Sequence, residues 1–535
     1  MSFDYYPYTP TAQAMKNPAI QLFGNRLFTD QSVSEFLVEF LLLVYAPKRF
    51  DDMEEFIGAL PPVGSSAGEP GKLEYAPQAR LNLKLFSFLG ASRLESRHHT
   101  HRDHHEELHT SLLNKIQIAG GGDKEDVVRT IENLMLGFQG AGSGRTWCAQ
   151  SFLPVSPAFL AGESIWNESV ARRQVPYDWG QVTSELNTYI SMNRHRFLAR
   201  GGEVLYLQLC NALRQQPEDI QTWCVEYEMG LSQEEQNPKW LQEELEKAFR
   251  TLMGYCPATL TALAEFVDVD LDKETSQKTD FDQGERRFVD AGWCNAESWR
   301  EGYLFGVDLL RLMQANLDVV ERIYLLESAC AMQVLRTLAM QSHRSVCKQI
   351  GLAETGYFIA VSAPEEDRPA PRLLSQHSAK NIEKMIHQAL RVDEVDLPEE
   401  EDARNKALKD SGKYGSKLFV SLAKRIGLMV PKKGRGARFV LNEQLLRLLV
   451  VTTVPIGGRL TYDTFKSLLA SRHGLVFDAS GLNEASHRLK GSGIYLPADT
   501  DAWLQEMLAA AGYLIQLSDS CALVHNPSDV QKEVQ

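Results

Sequence analysis

The segment Arg97 to His109, RHHTHRDHHEELH, gathers six of the thirteen histidines in a chain of 535 residues: His98, His99, His101, His104, His105 and His109. Imidazole at this density is read first as chemistry, because it ligates metals when neutral and titrates near neutral pH. His105-Glu106-Glu107-Leu108-His109 fits H-E-x-x-H, in which two imidazoles four residues apart share one helix face and hold zinc. The glutamate after the first His, here Glu106, activates a bound water. The flanks oppose a buried catalytic helix. Arg97, Arg102 and Asp103 are charged where such a helix needs apolar turns, and Thr110 to Lys115 lacks the Gly and third His of one extended version of the motif. A noncatalytic metal site, a pH-responsive cluster and a polar helix face are the other readings, and the polar face fits the flanks best.

The pentapeptide resembles that of the gluzincin proteases, which implies a third zinc ligand on a following helical segment, a role for Glu132. A second chemical candidate is Gln139 to Thr146, QGAGSGRT, a near miss to the phosphate-cradling G-x-x-x-x-G-K-[ST]. Gln139 replaces the first Gly, Arg145 replaces the Lys, and Val127 to Leu136 before it has helical spacing where such a loop follows a strand. A flexible glycine loop ahead of Trp147 is the expected role. Cys148, beside that Trp, is expected in the core rather than as a nucleophile. There is no G-x-S-x-G elbow, no G-x-G-x-x-G after a strand, and no carboxylate and lysine set of the metal-dependent nuclease kind. An enzyme is therefore not the first expectation, and zinc is the one cofactor left open.

Charge is the stronger signal. The chain holds 56 Lys and Arg against 70 Asp and Glu, a net −14. Between Asn405 and Tyr495, however, sixteen Lys and Arg face five Asp and Glu, so this window is +11 and the remainder −25. A local excess attracts phosphate even on an acidic protein, because screening acts over about 10 Å. The densest stretch, Pro431 to Arg438 (PKKGRGAR), combines glycines that let a backbone approach with donors suited to phosphate oxygens. Lys424, Arg425, Lys432, Lys433, Arg435 and Arg438 are the candidate nucleic-acid contacts, made to phosphates and without sequence preference. The alternative is a cationic loop that docks on the protein's own acidic face or on a partner. The acidic run Asp393 to Asp402, DEVDLPEEED, reads as a solvated loop or as a strip that competes with nucleic acid for the basic region.

The elements that would position these residues can be read from caps and spacing. Ser416 to Met429 is amphipathic. Asn442 caps a helix running to Val454, Asp463 caps one from Thr464 to Arg472 that ends at Gly474, and Asp499 or Asp501 precedes a helix through Trp503, Leu504, Met507 and Leu508. Two strands follow, Tyr513 to Leu517 and Cys521 to His525. This is the order of a winged helix, although the third helix carries Asp501 and Glu506 and no Lys or Arg, which suits protein contacts better than the major groove. Upstream, Leu309, Met313, Leu317, Val320 and Tyr324 predict one apolar face of a single helix. Phe36 to Ala46 reads as a buried helix, too short for the roughly 20 residues of a bilayer span.

The opening MSFDYYPYTP has no signal-peptide character, and eight scattered cysteines with no CxxC pair fit reduced thiols, so the expectation is a cytoplasmic protein away from membranes. No repeat of about 20 to 50 residues is evident. PPVGSSAGEPG (61–71), the acidic stretch 267–287 and APEEDRPAPR (363–372) are breaks. The predicted fold class is mainly α, a multidomain helical protein with a C-terminal winged-helix-like α+β region. Its expected units are an N-terminal helical segment (1–60), a helical domain with the His-rich and Gly-rich segments (73–260), a helical domain (287–362), a helix with acidic linker (373–412) and a basic winged-helix-like domain (413–535).

Two stretches, GFQGAGSGRTWCAQSFLP (137–154) and SLAKRIGLMVPKKGRGARFVLNEQLLRLLV (421–450), resemble accessory proteins of multi-gene bacterial anti-phage defence systems, the methylation-associated kind among them. The resemblance covers about a tenth of the chain and brings no catalytic or binding residue with it. It implies a bacterial protein that works beside a methyltransferase, helicase or nuclease encoded elsewhere. The expected function is a nonenzymatic component of such a complex, recruiting DNA and partner proteins through the basic region. A zinc-dependent hydrolase built on residues 105–109 and a purely protein-binding scaffold are the alternatives.

Overall fold

The computed structural model describes residues 3–61 with short interruptions, 71–75, a few positions between 110 and 127, and then 201–254, 289–352, 356–481 and 500–527, again with brief gaps. His105, Glu106, His109, Glu132, the loop 139–146, Cys148 and the stretch 267–287 lie outside the described residues. The protein is mainly helical, with small sheets.

From the N-terminus come β1 (Tyr5–Tyr6), α1 (Pro18–Phe23), α2 (Val33–Tyr45), β2 (Lys48–Phe50) and β3 (Leu73–Tyr75). The middle consists of α3 (Gly201–Leu213), α4 (Pro217–Glu226), α5 (Pro238–Gly254), β4 (Val289–Asp290), β5 (Cys294–Asn295), α6 (Trp299–Gln314) and α7 (Val319–Gln349). Then follow β6 (Ile359–Ala360), α8 (Pro369–Ala389), α9 (Glu401–Ser411), α10 (Ser416–Arg425), β7 (Met429–Val430) and β8 (Arg438–Phe439). The chain ends with α11 (Glu443–Thr453), β9 (Arg459–Thr461), α12 (Tyr462–His473), β10 (Leu475–Val476), α13 (Ala502–Ala510), β11 (Leu514–Ser518) and β12 (Cys521–His525).

Every residue of α3 is buried, as expected of a helix enclosed on all sides. Glycines make that enclosure possible. A Cβ on Gly202 would stand 2.5 Å from the Phe40 backbone nitrogen of α2, and one on Gly302 of α6 would stand 2.2 Å from the Gln208 carbonyl oxygen of α3. The α2, α3 and α6 backbones thus touch where no side chain fits. Around them one connected apolar core runs from Tyr6 to Val524. The expected buried helix at Phe36 to Ala46 is α2, with Phe36, Leu37, Phe40, Leu41, Leu43 and Val44 in that core.

The single helix predicted through Leu309 and Tyr324 is broken. α6 stops at Gln314, the chain turns at 315–318, and α7 runs back antiparallel, so that Asp308 meets Arg336 and Glu301 meets Arg344. Leu309, Met313 and Leu317 are core, but Tyr324 is 48% exposed. Arg322 of α7 donates to the Ala315 and Leu317 carbonyls, supplying partners that the lost helical bonds would have provided. Four-residue spacing survives such a turn by accident, which is why it misled.

Buried charge joins the C-terminal elements to these helices. Arg311 of α6 forms a bidentate pair with Glu235 at 2.7 and 2.8 Å and also donates to the Thr452 and Thr453 carbonyls at the end of α11. Arg472 of α12 donates to the carbonyls of Met229, Gly230 and Thr452. Its neighbour His473 is fully enclosed, with Nδ1 at 3.1 Å from an Arg336 nitrogen that is also 2.7 Å from Asp308. Because a guanidinium only donates, that His nitrogen accepts and the ring is neutral. Burial, then the charges of Arg336 and Arg472, push the His473 pKa well below its ordinary value.

Among the described residues no helix is long and apolar enough to cross a membrane. Cys210, Cys224, Cys294, Cys330 and Cys347 are buried free thiols and Cys521 is exposed.

Two outcomes follow from this packing. Gly302→Ala should destabilise the protein by about 1–3 kcal/mol through overpacking against backbone, read as a lowered denaturant midpoint. Below about pH 6.5 the unfolded chain binds a proton at His473 that the folded protein refuses, so stability present above that pH is lost as pH falls, at about 1.4 kcal/mol per unit. Urea unfolding at two pH values on either side of it should show a smaller pH dependence in His473→Gln than in the parent.

Candidate nucleic-acid interface

The basic stretch folds as a tight hairpin. β7 and β8 pair antiparallel, Met429 opposite Phe439 and Val430 opposite Arg438, and residues 431–437 form the turn. Gly434 and Gly436 have φ of +106° and +82°, a left-handed backbone that favours glycine. The base is rigid. Phe439 lies edge-on to Phe419 of α10, Ser375 Oγ of α8 accepts from Phe439 N at 2.7 Å, and Asn442 both caps α11 and donates to the Ile426 carbonyl.

Of the six candidate contacts, two are turned to structural use. Arg438 is buried, and its guanidinium donates to Ser362 Oγ and to the carbonyls of Ala363 and Pro364 at 2.6–2.7 Å. Arg425 donates to the carbonyls of Gln31 and Thr29, fastening the chain before α2. The Arg438 fork is turned inward, closing carbonyls that burial would otherwise leave without donors, and the Arg425 fork, though exposed, is occupied by the two carbonyls before α2. Lys432, Lys433 and Arg435 are exposed at the tip and Lys424 is half-exposed.

The same inward use thins the rest of the basic window. Arg472 is buried, Arg447 pairs with Glu321, and Lys466 lies between Asp463, Asp478 and Asp501 at 3.3, 2.5 and 2.8 Å. One expected cap is misplaced, while Asp501 stands before α13 as expected. Thr461, not Asp463, caps α12 through Thr464 N, and Asp501 makes no cap to α13 but accepts from Tyr462 and Lys466. Asn442 and Gly474 cap as expected.

The stretch 363–372 is a fixed corner. Its loop supplies the carbonyls that hold Arg438, Glu366 is buried against Arg368, and Pro369 already begins α8. The acidic run after α8 does not reach the hairpin. Its residues engage α1 and the end of α7, through Asp396 N with Gln21, Asp393 with Gln349 and Glu394 with Lys348.

Sequence reasoning passed over α8. Arg372, Lys380 and Lys384 are exposed on it, and Gln376 between them reaches the Gly436 carbonyl of the turn. Their four-residue spacing was the available signal. Among the described residues no group of three His, Cys, Asp or Glu side chains is arranged to hold a metal ion. Comparison with known protein families, with curated proteins and with solved structures returned no match to this chain.

The two roles separate in stability. Arg438→Ala should cost about 1–3 kcal/mol by leaving loop carbonyls without donors, whereas Lys433→Ala should stay within about 0.5 kcal/mol of the parent; denaturant midpoints decide.

Proposed function

We propose that the chain is a recruiting, nonenzymatic component of a multi-gene bacterial anti-phage defence complex, working in the cytoplasm and contacting DNA phosphates through the β7–β8 turn. One observation carries the nucleic-acid part. Lys432, Lys433 and Arg435 stand exposed on a short glycine turn whose base is locked by α8, α10 and α11. Cations held forward on a rigid base keep their charge available to an outside anion, and Gly434, whose added Cβ would meet only Pro431 at 4.0 Å, lets a phosphate come close. The defence part rests on the resemblance of residues 137–154 and 421–450.

Partner contacts belong, in this reading, to the C-terminal elements. α11, β9, α12, α13 and the β11–β12 hairpin follow one another with β9 paired to β12, an arrangement we read as winged-helix-like. Its third helix exposes Ala502, Glu506, Ala509 and Ala510, and Leu517 near the hairpin turn is 60% exposed. The Glu506 charge opposes a DNA groove, and exposed Leu517 offers a partner an apolar contact.

Lys432→Glu, Lys433→Glu and Arg435→Glu together should abolish retention on DNA at low salt while leaving the melting temperature and partner co-purification unchanged. Undiminished DNA retention would overturn the nucleic-acid part of the proposal.

A further inference from the structure

Arg372, Gln376, Lys380 and Lys384 follow one another along α8 in steps of four residues, so successive members are neighbours and the row winds by about 120° along the helix. Arg372, Lys380 and Lys384 are exposed, while Gln376 is half-buried because its amide meets the Gly436 carbonyl at 3.5 Å. The basic turn therefore lies against the row that carries the lysines. Arg372 also stands near Arg438 at the hairpin base, where its charge adds to burial in lowering the Arg438 pKa. Nearby acids are few: Glu383 is half-exposed beside the stripe, Glu365 and Asp367 are exposed in the corner loop, and Glu366 is taken by Arg368.

We propose that the β7–β8 turn and the α8 stripe form one continuous track for the phosphate backbone of a DNA duplex, with Lys432, Lys433 and Arg435 at one end and Lys380 and Lys384 at the other. This rests on the nucleic-acid reading above and extends it to a second element. Four residues of helix rise about 6 Å, so Arg372 to Lys384 spans about 18 Å. A duplex passes about five phosphates of one strand over that length, at 3.4 Å of axis each. The track ends at a physical boundary, since Arg391 bonds the His387 carbonyl and the acidic run begins at Asp393.

Duplex is favoured over single strand by what the track presents. Single-strand binders stack bases on rows of large aromatic rings, and the exposed residues of this face, Arg372, Leu373, His377, Lys380, Asn381 and Lys384, include no Phe, Tyr or Trp. Gln376 is spent on the turn, and the forks of Arg372 on α8 and Arg435 at the turn tip suit phosphate oxygens, so charge carries the contact and follows a backbone of any sequence.

The test measures binding of the full chain to a short labelled duplex of mixed sequence, and to one of its single strands, between about 50 and 200 mM salt. Lys380→Gln with Lys384→Gln should reduce the magnitude of the slope of log K against log salt by about 1.8, at about 0.9 for each phosphate no longer neutralised. Lys432→Gln, Lys433→Gln and Arg435→Gln together should reduce it by about 2.7, and the two sets should add. Lys406→Gln with Lys409→Gln on α9 should leave it unchanged. The corresponding alanine pair at 380 and 384, which favours helix, repeats the measurement with a second chemistry. An unchanged slope in the α8 variants with a reduced one in the turn variant would overturn the track and leave the nucleic-acid reading standing. Tighter binding of the single strand would overturn the duplex. No binding by the parent protein would overturn both.

Discussion

Two buried guanidinium groups, Arg311 and Arg472, determine where the C-terminal third of the protein sits. Both reach the Thr452 carbonyl at the end of α11, one from α6 and one from α12. Like charges converge there because each has something else to hold: Arg311 takes both Glu235 oxygens, and Arg472 takes the Met229 and Gly230 carbonyls. Burial opposes ionisation of Glu235, yet Arg311 keeps its carboxyl below the ordinary range. Such a network adds less stability than its short distances imply, since every ion in it has been taken from water. Its worth is positional. Losing one member leaves the others charged, buried and unpaired, at a cost of about 3–5 kcal/mol. That asymmetry fixes α11 in one place, and through Asn442 at its other end the frame extends to Ile426 and the basic hairpin.

The inward arginines also explain why counting charge along the chain overstates the field at the surface. Arg438, Lys466 and Arg472 enter the +11 of the basic window, yet their donors are spent on carbonyls or carboxylates inside the fold, and those of Arg425 and Arg447, nearer the surface, are engaged by the protein's own carbonyls and Glu321. Arginine suits this use because five donors in a planar fork can satisfy several carbonyls at once. Lysine, a single strongly hydrated charge, stays outside more often, and Lys432, Lys433, Lys380 and Lys384 do so here. Lys48 shows the cost of the exception. Fully enclosed, it survives by donating to the Leu43, Val44 and Ala46 carbonyls at the end of α2, and burial pushes its pKa down to about 7.

Local signals were legible wherever the deciding interaction is itself local. Asn442 and Gly474 work as caps because a side chain three residues from its partner, or a left-handed φ, needs nothing from the rest of the fold. The hairpin at 514–525 is of the same kind. Failures occurred where a distant residue decides. The turn at 315–318 is set by the pairing of α6 with α7, through Asp308 with Arg336 and Glu301 with Arg344, and Arg438 is claimed by a loop some seventy residues upstream in sequence. Of the candidate interface, the turn and its exposed lysines could be read directly, and the α8 stripe only as a spacing, without its place beside the turn. Nothing in the order of residues shows that Gln376 meets Gly436.

The same geometry sets how far the acidic majority of the chain weighs on the basic turn. The acidic run follows α8, whose length from Gln376 to Ala389 is about 20 Å, and it is anchored on α1 and α7. At physiological ionic strength the screening length is about 8 Å, so over that separation the acids scarcely reduce the field at Lys432 and Lys433. At about 0.01 M salt the screening length grows to about 30 Å and spans the whole helix. The acidic run then opposes any anion approaching the turn. Salt therefore acts in two directions on this surface, screening the exposed cations of the turn while shielding an approaching anion from the protein's own negative charge. The cations of the turn act most independently of the acidic run where the screening length is shorter than α8, as it is at physiological ionic strength.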